Sequence, residues 1–231
     1  FVGDLRYEGH SQPALKSLDP DGRVIYVSTF SKVLMPGLRV GYIAANGPVY
    51  DQLLTWKSLN DLATSNLIQR ALEAYITVGR YQSHLHRACR VYRRNRDLMI
   101  SALSQSMPAG VQWYTPSGGL FIWARLPGGL NADDLLPFAA REGGDFAPGS
   151  IFFPDGQPSP YLRLNFASVP GERIEEGIHR LGLAVEQVLA GDHPVEPLSA
   201  DAPGNHFPRK SRILLNPPDR PDTGRPARRP F

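Results

Sequence analysis

The sequence predicts an α/β protein whose first region of strands and helices is followed by a smaller α+β region. Two short runs rich in β-branched and aromatic residues, 24–28 (VIYVS) and 40–45 (VGYIAA), predict buried strands. The longest helical pattern, 81–106, follows two shorter ones, and after Pro108 short strand patterns alternate with helices. That order is typical of a second, smaller α+β lobe.

Three helices are expected after the first two strands. Residues 47–60 carry apolar side chains near one face of a helix. Residues 64–79 begin with a Thr/Ser capping signal and end at Gly79, a residue type common just beyond a helix. The third helix, 81–106, bears a band of arginines, which we interpret as a solvated face rather than a nucleic-acid surface. The band consists of Arg87, Arg90, Arg93, Arg94 and Arg96.

The remainder of the chain is expected to hold short strands, two helices and a tail. The predicted strands are 111–114, 118–126, 145–148 and 161–167, and the predicted helices are 131–143 and 170–190. From about Gly191 onward nine prolines occur with little apolar periodicity, which predicts disorder. We therefore expect three regions: 1–80, then 81–190 with the long helix and the smaller lobe, then a Pro-rich tail at 191–231.

The composition excludes several classes of protein. Although the formal charge is +3, seven Lys/Arg and only five acidic residues fall in the last 40 residues, so the body is close to neutral. A nucleic-acid-binding face is therefore not indicated. The single cysteine, Cys89, excludes an internal disulfide and suits a reducing, cytoplasmic compartment. No apolar run approaches the roughly 20 residues that span a bilayer, so we expect no membrane association.

One lysine and one arginine lie in the apolar stretch 28–45, STFSKVLMPGLRVGYIAA. A deprotonated lysine can form a Schiff base with a carbonyl compound, and a phosphorylated aldehyde would also need hydroxyls and a guanidinium beside that lysine. Thr29, Ser31, Lys32 and Arg39 provide this set. The spacing alone leaves an alternative open, a lysine that extends to solvent and an arginine in an ordinary salt bridge.

This stretch resembles the lysine segment of the fold-type I pyridoxal-phosphate enzymes, the class I/II aminotransferases. The resemblance is to the branch of 2-aminoadipate and kynurenine aminotransferases and of the aminotransferase-like domains of MocR/GntR-type regulators. Further motifs keep the family order from about residue 1 to 190. They are DLRYEG, PALKSLD, DLATSNLIQ, GRYQSHLHRACRVYRRNRDLM, PSGGLFIWARLP, FAPGSIFF and YLRLNFA. The resemblance implies the C-terminal part of a large α/β domain with a mixed, mostly parallel sheet, followed by a small α+β domain.

The resemblance also implies roles for individual residues. Lys32 would bind pyridoxal 5'-phosphate covalently and move the proton of the reaction, while Thr29, Ser31 and Arg39 would hold the cofactor phosphate. Arg163, in YLRLNF, matches the arginine that binds the substrate α-carboxylate. Two further positions match a turn that, in dimeric members of the family, approaches the active site of the neighbouring subunit. They are Ser65 and Asn66. A homodimer is therefore expected.

The sequence departs from the family pattern at its start. By resemblance, the aspartate that contacts the pyridine nitrogen would precede residue 1. A tyrosine that binds the phenolic oxygen would fall at residue 1 or 2, where Phe1 and Val2 stand. We therefore expect a C-terminal fragment that alone binds the cofactor weakly and turns over little substrate.

Two functions follow from the resemblance, with an inactive fragment as a third interpretation. The first is transfer of an amino group between an amino acid and a 2-oxo acid. The second is effector sensing in a MocR/GntR-type regulator, which would contact nucleic acid only through a separate N-terminal domain. No metal site is expected, because His84 and His86 lie two residues apart on a helix and do not share a face.

Overall fold

The computed structural model describes residues 3–191, in which the first two predicted strands form an antiparallel pair. β1 covers Tyr26–Thr29 and β2 covers Gly41–Ala44, with Thr29 opposite Gly41. The expected burial of these strands is wrong: every residue of β2 is exposed, and Val27 of β1 is 51% exposed. The described residues place no helix or strand over β2, so its apolar side chains face outward.

The three helices predicted after this pair are present. α1 covers Pro48–Asp61, α2 covers Asn66–Thr77 and α3 covers Arg80–Ser106. The hydroxyl of Ser65 caps α2 by accepting from the backbone N–H of Ile68 at 3.5 Å. Gly79, with φ 74°, makes the left-handed turn between α2 and α3 that favours glycine. None of the described helices has the combination of length and apolar character that a membrane span needs.

The smaller lobe is a four-stranded antiparallel sheet with two further helices. Its spatial order is β3-β4-β6-β5. The strands are β3 Gln112–Trp113, β4 Phe121–Arg125, β5 Ala147–Pro148 and β6 Tyr161–Asn165. The helices are α4 Ala132–Arg141 and α5 Ile174–Leu189, and a short 3₁₀ helix covers Gly149–Phe152 between β5 and β6. Every strand pair within residues 3–191 is antiparallel.

The main core lies on one face of this second sheet. Successive side chains of a strand point to opposite faces, so Ile122 and Ala124 of β4 are buried together with Leu162 and Leu164 of β6. Helices α3, α4 and α5 pack together over this face. The opposite face carries the alternate residues of β4 and β6, which are Phe121, Trp123, Arg125, Tyr161, Arg163 and Asn165.

A smaller apolar cluster connects the lysine loop to α3. Val33 packs there with Leu5, Leu85 and Leu120, all of them buried. The imidazole Nε2 of His84 lies 3.0 Å from the carbonyl oxygen of Val33, which adds a polar contact between the loop and the helix. The segment that carries Lys32 is therefore fixed against the long helix and not only against its own strands.

Arg96 departs from the predicted solvated band of α3. Its side chain is buried, whereas Arg87, Arg90, Arg93 and Arg94 are exposed as expected. Arg96 Nη1 donates to the carbonyl of Pro116 at 2.7 Å, and Nη2 lies 2.6 Å from carboxylates of both Glu8 and Asp97. The interpretation of Arg96 as solvated is wrong because the N-terminal segment folds over this part of α3 and supplies its acceptors. The Pro-rich tail beyond Gly191 lies outside the described residues.

Candidate active site

The lysine loop, residues 30–40, connects β1 to β2 and turns back immediately after β1. The backbone N–H of Phe30 donates to the carbonyl of Val40 at 3.1 Å, and the N–H of Leu34 donates to the carbonyl of Phe30 at 2.9 Å. Lys32 lies within this tight turn and its side chain is exposed. Both ends of the loop meet at one end of the strand pair, because antiparallel strands bring the end of β1 next to the start of β2.

Two hydroxyl residues precede Lys32 and contact each other. Thr29 Oγ1 donates to the carbonyl oxygen of Val40 at 3.1 Å and accepts from the backbone N–H of Ser31 at 3.1 Å. Ser31 Oγ lies 3.0 Å from Thr29 Oγ1. The structure therefore brings these two predicted phosphate ligands together at the start of the loop, next to Lys32 in the chain.

Arg39 ends the loop in an unusual backbone conformation. Its φ of 53° and ψ of 37° are left-handed, a region that non-glycine residues adopt at some cost and mostly where function or packing requires it. Its Nη1 donates to the carbonyl of Pro36 at 3.3 Å, and the side chain is exposed. Gly41 follows on β2, where a Cβ would lie 2.8 Å from the carbonyl oxygen of Ser28. The close pairing of β1 and β2 thus needs glycine at 41.

Arg163 lies on the second sheet, and its contacts are with aromatic rings rather than with the lysine loop. Its guanidinium carbon is 4.1 Å from the centre of the Phe121 ring and 4.6 Å from that of Phe152. Its Nε is buried without a hydrogen-bond partner among the described residues. Burial lowers the pKa of the Arg163 guanidinium below its ordinary value. A partly desolvated guanidinium with an unpaired donor is suited to bind an anion.

The sequence reasoning missed the aromatic surroundings of Arg163. Phe121 could have been found, because it stands two residues from the cross-strand partner of Arg163 and on the same face of the sheet. Phe152 gave no such signal, since it reaches the arginine from a 3₁₀ helix that has no apolar period. Trp123 stacks on Tyr161 at 5.5 Å on this face, which extends the aromatic surface.

Four further positions were singled out from the sequence. Ser65 and Asn66 lie at the start of α2 and are exposed, where Ser65 acts as the helix cap. Phe1 and Val2, which stand where the resemblance expects a tyrosine, lie outside the described residues.

The donor set of the lysine loop fits a phosphorylated aldehyde. An exposed primary amine at Lys32 can react with a carbonyl, and two adjacent hydroxyls and an exposed guanidinium can bind phosphate oxygens. These groups come from one loop whose ends are joined by backbone hydrogen bonds.

Comparison with known proteins identifies relatives of this chain. The family model for aminotransferase class I and II matches residues 3–181. Aromatic-amino-acid aminotransferase 1 of Thermococcus litoralis is 40% identical over 187 residues, which cover 81% of this chain and 45% of that relative. The HTH-type transcriptional regulator TauR of Rhodobacter capsulatus is 33% identical over 185 residues, which cover 79% of this chain and 38% of the regulator. The chain thus spans less than half the length of these relatives.

Solved structures of this kind share the fold. A kynurenine aminotransferase from Pyrococcus horikoshii, in complex with PMP, matches with a TM-score of 0.79 and 36% identity, covering 81% of this chain and 46% of that one. LysN, an α-aminoadipate aminotransferase from Thermus thermophilus complexed with N-(5'-phosphopyridoxyl)-L-leucine, matches with a TM-score of 0.77 and 36% identity. The match covers 83% of this chain and 50% of that one. These neighbours confirm the predicted fold-type I class. The match over residues 3–181 and the relatives at this level of identity establish that the chain belongs to the class I and II aminotransferase family.

Proposed function

We propose that the chain is part of an enzyme that uses pyridoxal 5'-phosphate to transfer an amino group between an amino acid and a 2-oxo acid. The observation that carries this proposal is the lysine loop, in which Lys32 lies beside the paired hydroxyls of Thr29 and Ser31, and Arg39 ends the same loop. Family membership supports it, because the relatives include aminotransferases.

The phosphate of the cofactor is proposed to bind at the hydroxyl and guanidinium groups of this loop. Thr29 and Ser31 offer neutral donors, and Arg39 offers a charged planar donor that suits phosphate oxygens. When bound, pyridoxal phosphate supplies an aldehyde that reacts with amines and a ring that withdraws electrons from the substrate α-carbon. Arg39 stands two residues before β2, in a left-handed backbone conformation.

Two side chains are proposed to act on the substrate. Arg163 would bind the α-carboxylate through its planar fork, with its orientation held by the Phe121 and Phe152 rings. Lys32 Nζ would take the proton from the substrate α-carbon and would pass it to the carbon that derives from the cofactor's aldehyde. A substrate fixed at its carboxylate has fewer orientations open to it, which raises the fraction that can react.

A homodimer and a cytoplasmic location are parts of the same proposal. Ser65 and Asn66 are exposed at the start of α2 and are therefore accessible to a neighbouring subunit, as the resemblance implies. The single cysteine suits a reducing compartment such as the cytoplasm.

Reductive trapping tests the cofactor site directly. The full chain is incubated with pyridoxal phosphate, treated with borohydride and digested, and the labelled peptides are identified by mass spectrometry. We expect the label mainly at Lys32 and a weaker yield in Arg39→Ala. Lys57 provides the control, because its ammonium is exposed but paired with Asp61 at 2.5 Å. Equal labelling of Lys32 and Lys57 would contradict the assignment of the site.

Effector sensing in a transcription regulator is the second candidate function. The observation that favours it is the similarity to TauR and to YdfD of Bacillus subtilis, regulators at 33% and 32% identity. A half-transamination assay on a protein that contains this chain separates the two. Release of a 2-oxo acid from an added amino acid supports the enzyme, whereas ligand binding without release supports the sensor.

A further inference from the structure

We propose that a cleft between α3 and the N-terminal segment binds a small organic anion with two acidic groups, either a bisphosphate ester or a dicarboxylate. The arginine cleft, as we call it, has a volume of about 480 Å³ and is bounded by residues 3–11 on one side and by one face of α3 on the other. It shares no residue with the lysine loop or with the surroundings of Arg163. The proposal therefore goes beyond the proposed transfer reaction and does not depend on it.

The α3 wall of the cleft is a single helix face with donors along it. Gln82, His86 and Arg90 follow one another at intervals of four residues, and Arg93 lies three further on. Side chains at these spacings lie above one another on a helix. Gln82 and His86 contact each other at 3.4 Å between Nε2 atoms, so the amide and imidazole groups stand side by side in the wall.

Arg6 provides the opposite wall and an unpaired donor. Its Nε is buried and has no hydrogen-bond partner within residues 3–191. Arg6 also lines the cleft, so an anion bound there would contact its guanidinium group. The turn at Gly9, with φ 71°, lies against this guanidinium, since a Cβ on Gly9 would come 3.3 Å from Arg6 Nη2. The fold thus holds the guanidinium of Arg6 at the wall of the cleft.

The charges around the cleft leave its arginines without full compensation. Asp4 accepts from the hydroxyl of Tyr81 at 3.0 Å, and Glu8 lies 2.6 Å from Arg96 but 3.7 Å from Arg93. In the described part of the chain neither Arg6 nor Arg90 has a carboxylate within 4.0 Å. Burial raises the pKa of the Cys89 thiol in the same wall, so it adds no negative charge near neutral pH.

The size and the donors together define the ligand. A volume of about 480 Å³ exceeds what a lone inorganic ion fills, and guanidinium groups on two walls can contact two separate acidic groups. Planar guanidinium forks bind both carboxylates and phosphates in bidentate fashion. The shared chemistry is therefore a pair of oxyanions on a small carbon skeleton.

Isothermal titration of the full chain tests the proposal, with 1,3-propanediol bisphosphate in one arm and succinate in the other, both at fixed ionic strength. We expect saturable binding in one arm, weakened about tenfold or more in Arg90→Gln, where a charged hydrogen bond is lost. Arg6→Lys, which keeps the charge but not the fork, should weaken it as well. Arg87→Gln removes the same charge from α3 outside the cleft and is expected to bind like the parent.

Two results would overturn the arginine cleft as an anion site. One is the absence of saturable binding in both arms by a chain whose circular dichroism shows the expected helices. The other is an equal loss of affinity in Arg87→Gln and Arg90→Gln, which would indicate a response to charge alone. Arg39→Ala changes the cofactor site and leaves the cleft intact. Unchanged anion binding by this variant supports the cleft even if the proposed transfer function fails, and lost anion binding contradicts it.

Discussion

The guanidinium carbon of Arg163 lies 4.1 Å from the centre of the Phe121 ring, while its Nε is buried and has no hydrogen-bond partner among residues 3–191. The ring attracts the cation but accepts no conventional hydrogen bond in the plane of the guanidinium. The arginine is therefore held in orientation and still has an unsatisfied donor. Such a combination favours binding of an anion over stability of the fold.

Arg163→Met is expected to leave stability nearly unchanged. The substitution loses two ring contacts but also removes a buried unpaired donor, so the free energy of unfolding should change by less than about 1 kcal/mol. Urea denaturation followed by circular dichroism measures this change. Arg125→Met, at an exposed arginine on the neighbouring strand β4, is the matched control. A loss of more than about 2 kcal/mol would indicate that Arg163 mainly stabilises the fold.

The sequence predicts the elements of this fold better than their burial. The helices at 47–60, 64–79 and 81–106 could be predicted because caps, glycines and apolar spacing are local signals. The exposure of β2 could not be predicted, because an apolar strand has the same sequence pattern whether or not another layer covers it. Arg96 shows most clearly that burial depends on distant contacts. Its neighbours Arg93 and Arg94 are exposed, and its own burial is explained only by the segment with Glu8 and by the carbonyl of Pro116.

The candidate site shows the same division between local and distant signals. Thr29, Ser31, Lys32 and Arg39 lie within one short loop, so their proximity could be inferred from the chain itself. The left-handed conformation of Arg39 could not, because arginine carries no preference for it.

Arg96→Met is expected to destabilise the chain substantially. Arg96 has 4% of its side chain exposed and makes charge-assisted contacts with Glu8 and Asp97, both partly in solvent, and with the carbonyl of Pro116. Loss of these contacts should cost about 2–3 kcal/mol of unfolding free energy. Urea denaturation measures it against Arg94→Met, an exposed neighbour expected to change stability by less than about 0.5 kcal/mol. Similar losses in both variants would contradict the role of the buried network.

The Glu8 carboxylate should make stability depend on acid pH. Its hydrogen bond to Arg96 lowers the pKa of Glu8 below the ordinary value of 4.5. The unfolded chain then binds the proton first, so the contribution of Glu8 is present above about pH 4.5 and is lost as the pH falls through its pKa in the folded state. Unfolding midpoints are measured from about pH 6 to about pH 3, a range that spans the titration of carboxylates. With decreasing pH they should fall less steeply in Glu8→Gln than in the parent chain. Adding Glu8→Gln to Arg96→Met should change this slope less than adding it to the parent chain does, with Arg93, 3.7 Å from Glu8, accounting for the remainder; an equal change in the two backgrounds would contradict the pairing.

Arg39→Gly and Arg39→Ala are expected to differ in stability although both remove the guanidinium. Arg39 adopts φ 53°, a conformation that glycine reaches without the penalty carried by residues with a Cβ. Arg39→Gly should therefore be more stable than Arg39→Ala by about 1 kcal/mol, as measured by urea denaturation. Both variants should lose cofactor phosphate binding equally, because the donor is absent from each. Equal stability of the two variants would show that the loop relaxes to another conformation.

Two glycines of α5 provide a matched pair for the packing of this helix against α3. A Cβ on Gly182 would meet the backbone carbonyl of Ser106, which cannot yield as a flexible side chain can, whereas a Cβ on Gly177 would meet nothing within 4 Å. Gly177→Ala should stabilise the chain by about 0.5–1 kcal/mol, because alanine is the better helix former. Gly182→Ala should destabilise it by about 1–3 kcal/mol, since the two helices must move apart. Thermal and urea unfolding of the two variants should therefore shift in opposite directions, and a shift of the same sign would mean that α5 is not packed against the end of α3 as described.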